Sequence, residues 1–366
     1  MIEIIHCADL HLSPGEADYS LTVLDEVAAL TRTQGAAYLL LCGDTFDSFP
    51  AAEALRGEFR KRVRSLAPEC EILLLAGNHE ELKRGRRSLE SLDLGPVTVL
   101  DTRPFQLLRR DACEFLAIPH QAGFAGYRDW PVPPKEQRRI ILAHGVVSGL
   151  AYGGPGSDPD PNGEAGGSAL DPDLFVRFQA DYAALGHIHT RREVLRDNLR
   201  LAYPGSARVW RRGETGERGV FRLSIPDSPA EPPGFHFHAL KSAGQYREYR
   251  VLLDLDGEAK TPAPEAESWQ PEDFIRLVFS GLVEDEHSAA AMAAAVEQAW
   301  AGRVRRLEID REQVTALPGI ASHPLAGQFL RAWEAREPED ERGRRIWLMS
   351  RQLGLEAIKE ALELKR

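Results

Sequence analysis

The stretch Leu39-Leu40-Leu41-Cys42-Gly43-Asp44-Thr45-Phe46-Asp47 is an apolar run that ends in a glycine and passes at once into a carboxylate. Such a run, flanked by helix-like patterns, reads as a strand buried on both faces. Gly43 lets the chain turn sharply at the strand end, so Asp44 stands at the carboxyl edge of a sheet, where open α/β folds keep their ligands. The construction repeats along the chain. Ile2-Glu3-Ile4-Ile5 leads to Asp9-Leu10-His11, and Ile72-Leu73-Leu74-Leu75 leads to Gly77-Asn78-His79. Ile140-Ile141-Leu142-Ala143 leads to His144-Gly145, and Tyr182-Ala183-Ala184-Leu185 to Gly186-His187-Ile188-His189. Five strands thus deliver Asp, Asn and His to one edge.

Around these runs the chain reads as alternating elements. Leu21, Leu24, Ala28 and Leu30 mark a helix over 18–34 that stops at Gly35; Leu55, Phe59, Val63 and Leu66 mark a second, closed by Pro68. Strand, helix, strand, helix, strand predicts a mostly parallel sheet. Short strands over 97–101, 104–110 and 113–118 extend it or start a second sheet. Residues 152–168, rich in Gly, Pro and Asp, form a long loop expected to border the site. Strand-like segments over 192–225 follow, with Tyr203-Pro204-Gly205-Ser206 as a turn, and Pro226 to Gly234 is a hairpin loop or a boundary. A small α+β pattern comes next: strands from Tyr249 to Leu255 and Phe274 to Phe279, a helix from Ser288 to Ala301, a strand from Val304 to Ile309. From His323 onward Phe329, Leu330, Trp333, Ile346, Met349, Leu353, Ile358 and Leu362 give a helical tail an apolar stripe. The expectation is an α/β chain with a main domain over 1–240, a small α+β capping domain over 241–315 and a helical tail over 316–366.

Composition sets outer bounds. The 366 residues are 43% hydrophobic and 28% charged, as in ordinary globular proteins. No apolar run approaches the roughly 20 residues that span a bilayer. Strand-like sequence begins at Ile2, leaving no room for a signal peptide. Cys7, Cys42, Cys70 and Cys113 form no CxxC pair, so buried thiols in a reducing cytoplasm are expected. The net charge of −11 argues against indiscriminate nucleic-acid binding while leaving a local basic surface open.

Asp, His and Asn at strand ends are hard or borderline ligands for Mn²⁺, Fe or Zn²⁺, with no thiolate pair competing. If two ions sit about 3.5–4 Å apart, one carboxylate usually bridges them, and such a pair clamps an oxyanion, activates a water and stabilises a leaving oxygen. Asp44, on the central strand, is the candidate bridge. All five of His11, His79, His144, His187 and His189 follow apolar runs; His6 and His120, near strand ends, are further candidates to line the site.

Taken in order, Asp9-Leu10-His11, Gly43-Asp44-Thr45-Phe46-Asp47, Gly77-Asn78-His79-Glu80, His144-Gly145 and Gly186-His187-Ile188-His189 resemble the five motifs of the calcineurin-like metallophosphoesterases, which implies a four-layer α/β sandwich. His6-Cys7-Ala8-Asp9-Leu10-His11-Leu12, Gly-Asp-Thr-Phe-Asp and Tyr203-Pro204-Gly205-Ser206 are most similar to the SbcD-like DNA repair exonucleases within it. The resemblance implies one metal on Asp9, His11, Asp44 and His189 and another on Asp44, Asn78, His144 and His187. It makes His79 the non-ligand that stabilises the transition state or protonates the leaving oxygen. Asp47 would hydrogen-bond and orient His79. Relatives usually carry Asp where Glu80 stands here. The protein phosphatases of the superfamily have Arg-Gly where Ser48-Phe49 follows, which disfavours that activity.

Phosphates need cations. Lys83, Arg84, Arg86 and Arg87 follow His79, and between Arg191 and Arg222 nine arginines face four acids, with Arg208, Arg211 and Arg212 clustered after the turn. These are the expected contacts to a DNA backbone, with little base readout. The expected function is a two-metal DNA phosphodiesterase, using manganese with iron, zinc or magnesium as alternatives. It would act as exonuclease or endonuclease on ends in double-strand-break repair. The tail has two readings: it packs on its own domain, or, as the SbcD resemblance implies, it docks on an SbcC-like coiled-coil ATPase through Phe329, Trp333, Trp347 and Leu353. The resemblance also allows a homodimer through helices near 51–67 and 80–94. The alternatives are hydrolysis of small nucleotides or other phosphoesters, and a DNA-end-binding scaffold with weak catalysis.

Overall fold

The structure, a computed structural model, describes residues 1–80, 89–121, 126–148, 150, 169–196, 199–228, 231–254, 256–259, 268–316, 320 and 323–363. The chain divides into two compact units, Met1–Gln245 and Tyr246–Arg366.

In the first unit the elements are β1 (Ile2–Cys7), α1 (Ala17–Thr33), β2 (Tyr38–Cys42), α2 (Phe49–Arg64), β3 (Glu71–Leu75), β4 (Val97–Leu100), β5 (Gln106–Arg109), β6 (Cys113–Ile118) and β7 (Arg138–His144). They continue with β8 (Val146–Val147), β9 (Ala169–Leu170), α3 (Pro172–Arg177), β10 (Tyr182–Gly186), β11 (Arg192–Arg196), β12 (Leu199–Tyr203), β13 (Gly219–Ile225) and β14 (Gly234–Ala239). Two six-stranded sheets result, in the orders β14-β13-β1-β2-β3-β4 and β11-β12-β10-β7-β6-β5. The short strands of the sequence reading therefore divide: β4 extends the first sheet, whereas β5 and β6 belong to the second. β1, β2, β3 and β4 pair in parallel, as do β6, β7, β10 and β12. The described residues of the Pro226 to Gly234 stretch belong to the antiparallel β13–β14 hairpin.

The sheets pack face to face. Ile4, Leu40 and Leu73 of the first share a core with Phe115, Ile140, Leu142 and Ala184 of the second. The alternate residues are buried too. Leu116, Ile141, Ala183 and Leu185 meet Leu174 and Phe175 of α3, while α1 packs on β1 and α2 beside the first sheet. Helix, sheet, sheet and helix form four layers, which explains why the strands read as unbroken apolar runs rather than alternating ones. Ser48, whose hydroxyl accepts the Ala51 N–H, caps α2 directly after the Asp44–Asp47 turn, with a proline in the first helical turn. Parallel pairing places the ends of β1, β2, β3, β7 and β10 at one edge of the sandwich.

The second unit contains β15 (Tyr246–Leu253), β16 (Phe274–Val283), α4 (Glu286–Trp300), β17 (Arg306–Ala316), α5 (Pro324–Glu334) and α6 (Glu341–Glu363). The three strands form a parallel sheet. Ile275, Leu277 and Phe279 pack with Ala289 and Ala293 of α4, while Leu282 shares a second core with Ala326, Phe329, Leu330 and Leu355 of the tail helices.

Of the two readings of the tail, packing within its own unit accounts for most of the aromatic residues. Trp333 is buried and stacks on Trp347, with ring centroids 3.7 Å apart and 6° between planes. Each indole N–H donates to the other residue's carbonyl, at 2.7 and 2.8 Å. Phe329 is half-buried against α6, where a Cβ on Gly354 would lie 2.1 Å from its ring. Three of the four expected anchors are thus spent inside the tail, because two amphipathic helices joined by a short turn bury their aromatic faces on each other. Leu353 is 63% exposed and lies in an exposed stripe with Ile346 and Met349. The helix expected near 80–94 appears, among the described residues, only as a 3₁₀ turn at Leu89–Ser91. Among the described residues no helix is long and apolar enough to cross a membrane, and all four cysteines are free and buried.

Candidate metal centre

The turns that follow β1 and β2 hold one another by their backbones. The N–H groups of Asp9 and His11 donate to the carbonyls of Gly43 and Asp44, at 3.1 and 2.9 Å, and Leu12 donates to Thr45 at 2.9 Å. Asp9, His11, Asp44 and His187 all adopt positive φ, at 53°, 44°, 48° and 102°. Non-glycine residues seldom take this conformation, and it clusters at functional sites. Two glycines make the close approach possible. A Cβ on Gly77 would lie 2.1 Å from Asp44 Oδ1, and one on Gly186 would lie 1.9 Å from the Cys42 carbonyl oxygen.

The seven expected ligands come together. Asp9, His11 and His189 form one group and Asp44, His144 and His187 another, with donor atoms in each within 4.8 Å of one another. Asp44 also joins His11 and His79 in a third group, so it stands between the two halves. In the first half His11 Nε2 and His189 Nε2 face each other at 3.2 Å, with Asp9 Oδ1 3.9 Å from His189 Nε2. In the second, Asn78 Oδ1 lies 3.0 Å from His144 Nε2 and 3.1 Å from His187 Nδ1, and Asp44 Oδ2 lies 3.3 Å from His144 Nε2.

This donor set fits cations. His144 Nδ1 lies 2.9 Å from the Cys42 carbonyl and donates to it, which leaves Nε2 as the ring atom turned inward. Converging lone pairs of imidazole, amide and carboxylate have too few protons among them to satisfy one another, and His11 Nδ1 is buried with no hydrogen-bond partner. Electrostatics agree. Burial works against charge on His144, but Asp44 beside it prevails and raises its pKa to about 9. Burial, then Asp44, pushes Asp9 up to about 6 and Glu80 to about 8. Carboxylates crowded this way call for positive charge between them. The oxygen and nitrogen ligands, without thiolate, suit Mn²⁺, Fe or Zn²⁺.

His79 enters the same cluster. Its backbone N–H donates to Asp44 Oδ1 at 2.9 Å, and its Nδ1 bonds the backbone carbonyl of Asp47 at 2.9 Å. The expectation that the Asp47 carboxylate orients His79 is corrected here. Asp47 is held by its own N–H on the Leu12 carbonyl, which aims its carbonyl at His79. Its carboxylate turns instead to the indole N–H of Trp210, 3.0 Å away. Glu80 is buried and accepts the backbone N–H groups of Phe46 and Gly77, both at 2.9 Å, tying the Asp44 and Asn78 turns together.

The loop after β12 supplies residues that no spacing pattern singled out. The Trp210 ring lies parallel to His11, with centroids 3.8 Å apart and 3° between planes, and edge-on to His79 and His189, both at 5.1 Å. The Arg211 guanidinium carbon is 3.9 Å from the Trp210 ring centroid. Two groups so close cannot share one face of an indole, so Arg211 covers the face opposite His11. Arg212 is exposed. Arg208 is not a DNA contact: it is 0% exposed. Its guanidinium donates to the carbonyls of Leu10 and His11, at 2.9 and 2.7 Å, and to Glu16 at 2.7 Å. It clamps the first ligand turn because only a fork of donors satisfies several acceptors there.

His120 borders the centre, its ring edge-on to His144 at 6.2 Å. His6 does not. It is buried between the sheets, bonded to the Tyr182 hydroxyl and the Leu185 carbonyl, and burial lowers its pKa to about 3. Lys83, Arg84, Arg86 and Arg87, and the loop over 152–168, lie outside the described residues.

Comparison with known proteins agrees with the geometry. The uncharacterized metallophosphoesterase YhaO of Bacillus subtilis (strain 168) is 26% identical over 252 residues, covering 61% of this chain and 57% of that protein. The chain therefore spans little more than half the length of that relative. Similar solved structures include the purple acid phosphatase PPD1 from yellow lupin (Lupinus luteus) seeds, at 14% identity and a TM-score of 0.42, covering 67% of this chain and 52% of that one. A dimetal phosphatase from Danio rerio is similar at 11% identity and a TM-score of 0.40, covering 61% and 92%. Residues 2–191 match the calcineurin-like phosphoesterase family. The chain belongs to that family.

Proposed function

We propose that this protein is a metal-dependent hydrolase of phosphoester bonds, a phosphodiesterase that cuts the DNA backbone at or near strand ends, with manganese as its first-choice cation. Asp9, His11, Asp44 and His189 would hold one cation and Asp44, Asn78, His144 and His187 the other. When bound, two such cations supply an activated water and neutralise charge on the phosphoryl oxygens. The remaining chemistry belongs to His79. With Nδ1 committed to the Asp47 carbonyl, Nε2 is the ring atom left to pass a proton to a leaving oxygen.

The observation that carries the DNA reading is Arg211, whose guanidinium lies against the indole that also contacts His11 and His79. A guanidinium held 3.9 Å from that ring, with exposed Arg212 next in sequence, suits a phosphate flanking the reacting one. Lys83, Arg84, Arg86 and Arg87 add charge close in sequence to His79. Double-strand-break repair with an SbcC-like ATPase rests on the resemblance to SbcD-like nucleases; the exposed stripe of Ile346, Met349 and Leu353 is the surface that would meet such a partner. A second reading, hydrolysis of small phosphoesters, is favoured by the burial of Arg208, which removes one cation from the expected DNA surface. A scaffold with weak catalysis fits less well, because all seven ligand side chains converge.

The test compares linear duplex DNA with bis(p-nitrophenyl) phosphate, both with Mn²⁺. Degradation of DNA that falls steeply with salt supports the proposal. Cleavage of the chromogenic diester with DNA left intact moves the substrate to the second reading.

A further inference from the structure

One buried carboxylate beside the metal centre has no part in the ligand set. Glu214 lies in the loop after β12, and only 2% of it is exposed. Its Oε1 is 2.6 Å from His189 Nδ1. Its Oε2 accepts the backbone N–H of Trp210 at 2.9 Å and the Ser206 hydroxyl at 3.3 Å. Arg218 is the adjacent cation, yet its Nη1 stands 4.0 Å from Oε2. Its guanidinium also donates to the backbone carbonyls of His189 at 2.7 Å and Glu214 at 2.9 Å and to the Ser206 hydroxyl at 3.0 Å. The shortest of these contacts to the Glu214 carboxylate is therefore the one to a metal-centre imidazole.

That contact has a chemical consequence. His189 can present a lone pair on Nε2, which faces His11 Nε2 and Asp9, only if the ring proton sits on Nδ1. Glu214 Oε1 is the acceptor that keeps it there. The second oxygen reaches the other imidazole of the same half. By holding the Trp210 backbone it fixes an indole that lies 3.8 Å from the His11 ring and whose Nε1 is anchored on Asp47.

We propose that Glu214 is the positioning residue of the Asp9/His11/His189 half of the centre. One oxygen sets the His189 ring for a divalent cation, and the other, through Trp210, holds His11 against it. The proposal rests on the two-cation reading above. It also explains why a carboxylate rather than an amide is required: both oxygens receive N–H donors, and a glutamine would turn an NH₂ toward one of them.

The experiment is a calorimetric titration of Mn²⁺ into the metal-free full chain, for the wild type, Glu214→Gln, His189→Ala and the double variant. The wild type is expected to take up two ions. In Glu214→Gln one of the two affinities falls about 10–100-fold, as loss of such outer partners does, while the other is kept. In the His189→Ala background Glu214→Gln causes a smaller further loss, because only the route through Trp210 to His11 remains. Unchanged affinities in Glu214→Gln overturn the proposal, and so does an equal loss with and without His189, which marks a purely structural role. If Glu214→Gln fails to fold, Glu214→Asp, which keeps the charge but draws it back from His189, must show the same selective weakening. A wild type that binds fewer than two ions overturns the two-cation reading itself, a different result from either.

Discussion

Replacing Arg208 by methionine separates the reading of this arginine as a DNA contact from its place in the structure. The guanidinium is fully buried and donates to the carbonyls of Leu10 and His11. Leaving a buried acceptor unpaired costs about 1–3 kcal/mol, so losing both donors destabilises the Met1–Gln245 unit by roughly 2–6 kcal/mol. The ion pair to Glu16, whose side chain is 41% exposed, adds less than about 1 kcal/mol. A domain of 150–250 residues shifts its melting midpoint by about 2–4 °C per kcal/mol, so a loss near the middle of that range lowers it by roughly 8–16 °C. Because His11 is held at a φ of 44°, Mn²⁺ affinity should fall as well. Thermal denaturation and oligonucleotide binding, measured side by side, decide it. An unchanged midpoint with weaker, less salt-dependent oligonucleotide binding would refute the clamp and restore the surface role.

Three further outcomes follow from the same geometry. Gly77→Ala places a Cβ 2.1 Å from Asp44 Oδ1 and 2.4 Å from Asp44 N; Mn²⁺ affinity should drop at least about tenfold with the far-ultraviolet dichroism kept, and normal metal uptake would contradict the packing described. Trp333→Ala removes a buried ring stacked on Trp347 and should weaken the Tyr246–Arg366 unit by about 3–5 kcal/mol, read as faster hydrogen exchange in α5 and α6; unaltered exchange would mean the ring is a spare docking anchor after all. The Arg110 hydrogen bonds, and then its charge, hold the Glu71 pKa below its usual 4.5. A depressed carboxylate stabilises above its unfolded pKa and loses that contribution as pH falls through the folded value. Glu71→Gln should therefore be less stable than wild type at neutral pH, with the gap closing below about pH 4.5; a gap that persists in acid would exclude this linkage.

The metal centre was legible because its residues sit at strand ends. Buried parallel strands read as continuous apolar runs, and Asp9, Asp44, Asn78, His144 and His187 follow those runs by a few residues. The loop after β12 was opaque for the opposite reason. Trp210 and Glu214 have no periodicity around them, and their partners His11, Asp47 and His189 lie between 21 and 199 positions away in sequence. An arginine cluster looks the same whether it meets solvent or a carbonyl fork, so Arg208 and Arg211 were grouped although one is buried and the other stacks on an indole. Asp47 was found as a neighbour of His79, but sequence does not say whether a residue acts through its side chain or its backbone. In the tail, an aromatic stripe announces burial without naming the surface that buries it, and here Trp333 and Trp347 bury each other.

The central claim is that two cations shared through Asp44, with His79 beside them, hydrolyse a phosphodiester. The direct measurement is bound manganese and cleavage of bis(p-nitrophenyl) phosphate, determined together for the wild type, His79→Gln and Asp44→Ala. His79→Gln should keep its manganese and lose about 10²–10⁴-fold in rate, the usual contribution of a positioned acid or base. Asp44→Ala should lose both metal and hydrolysis. Hydrolysis by Asp44→Ala at the wild-type rate, or a wild type that turns over the diester with no manganese bound, would contradict the account.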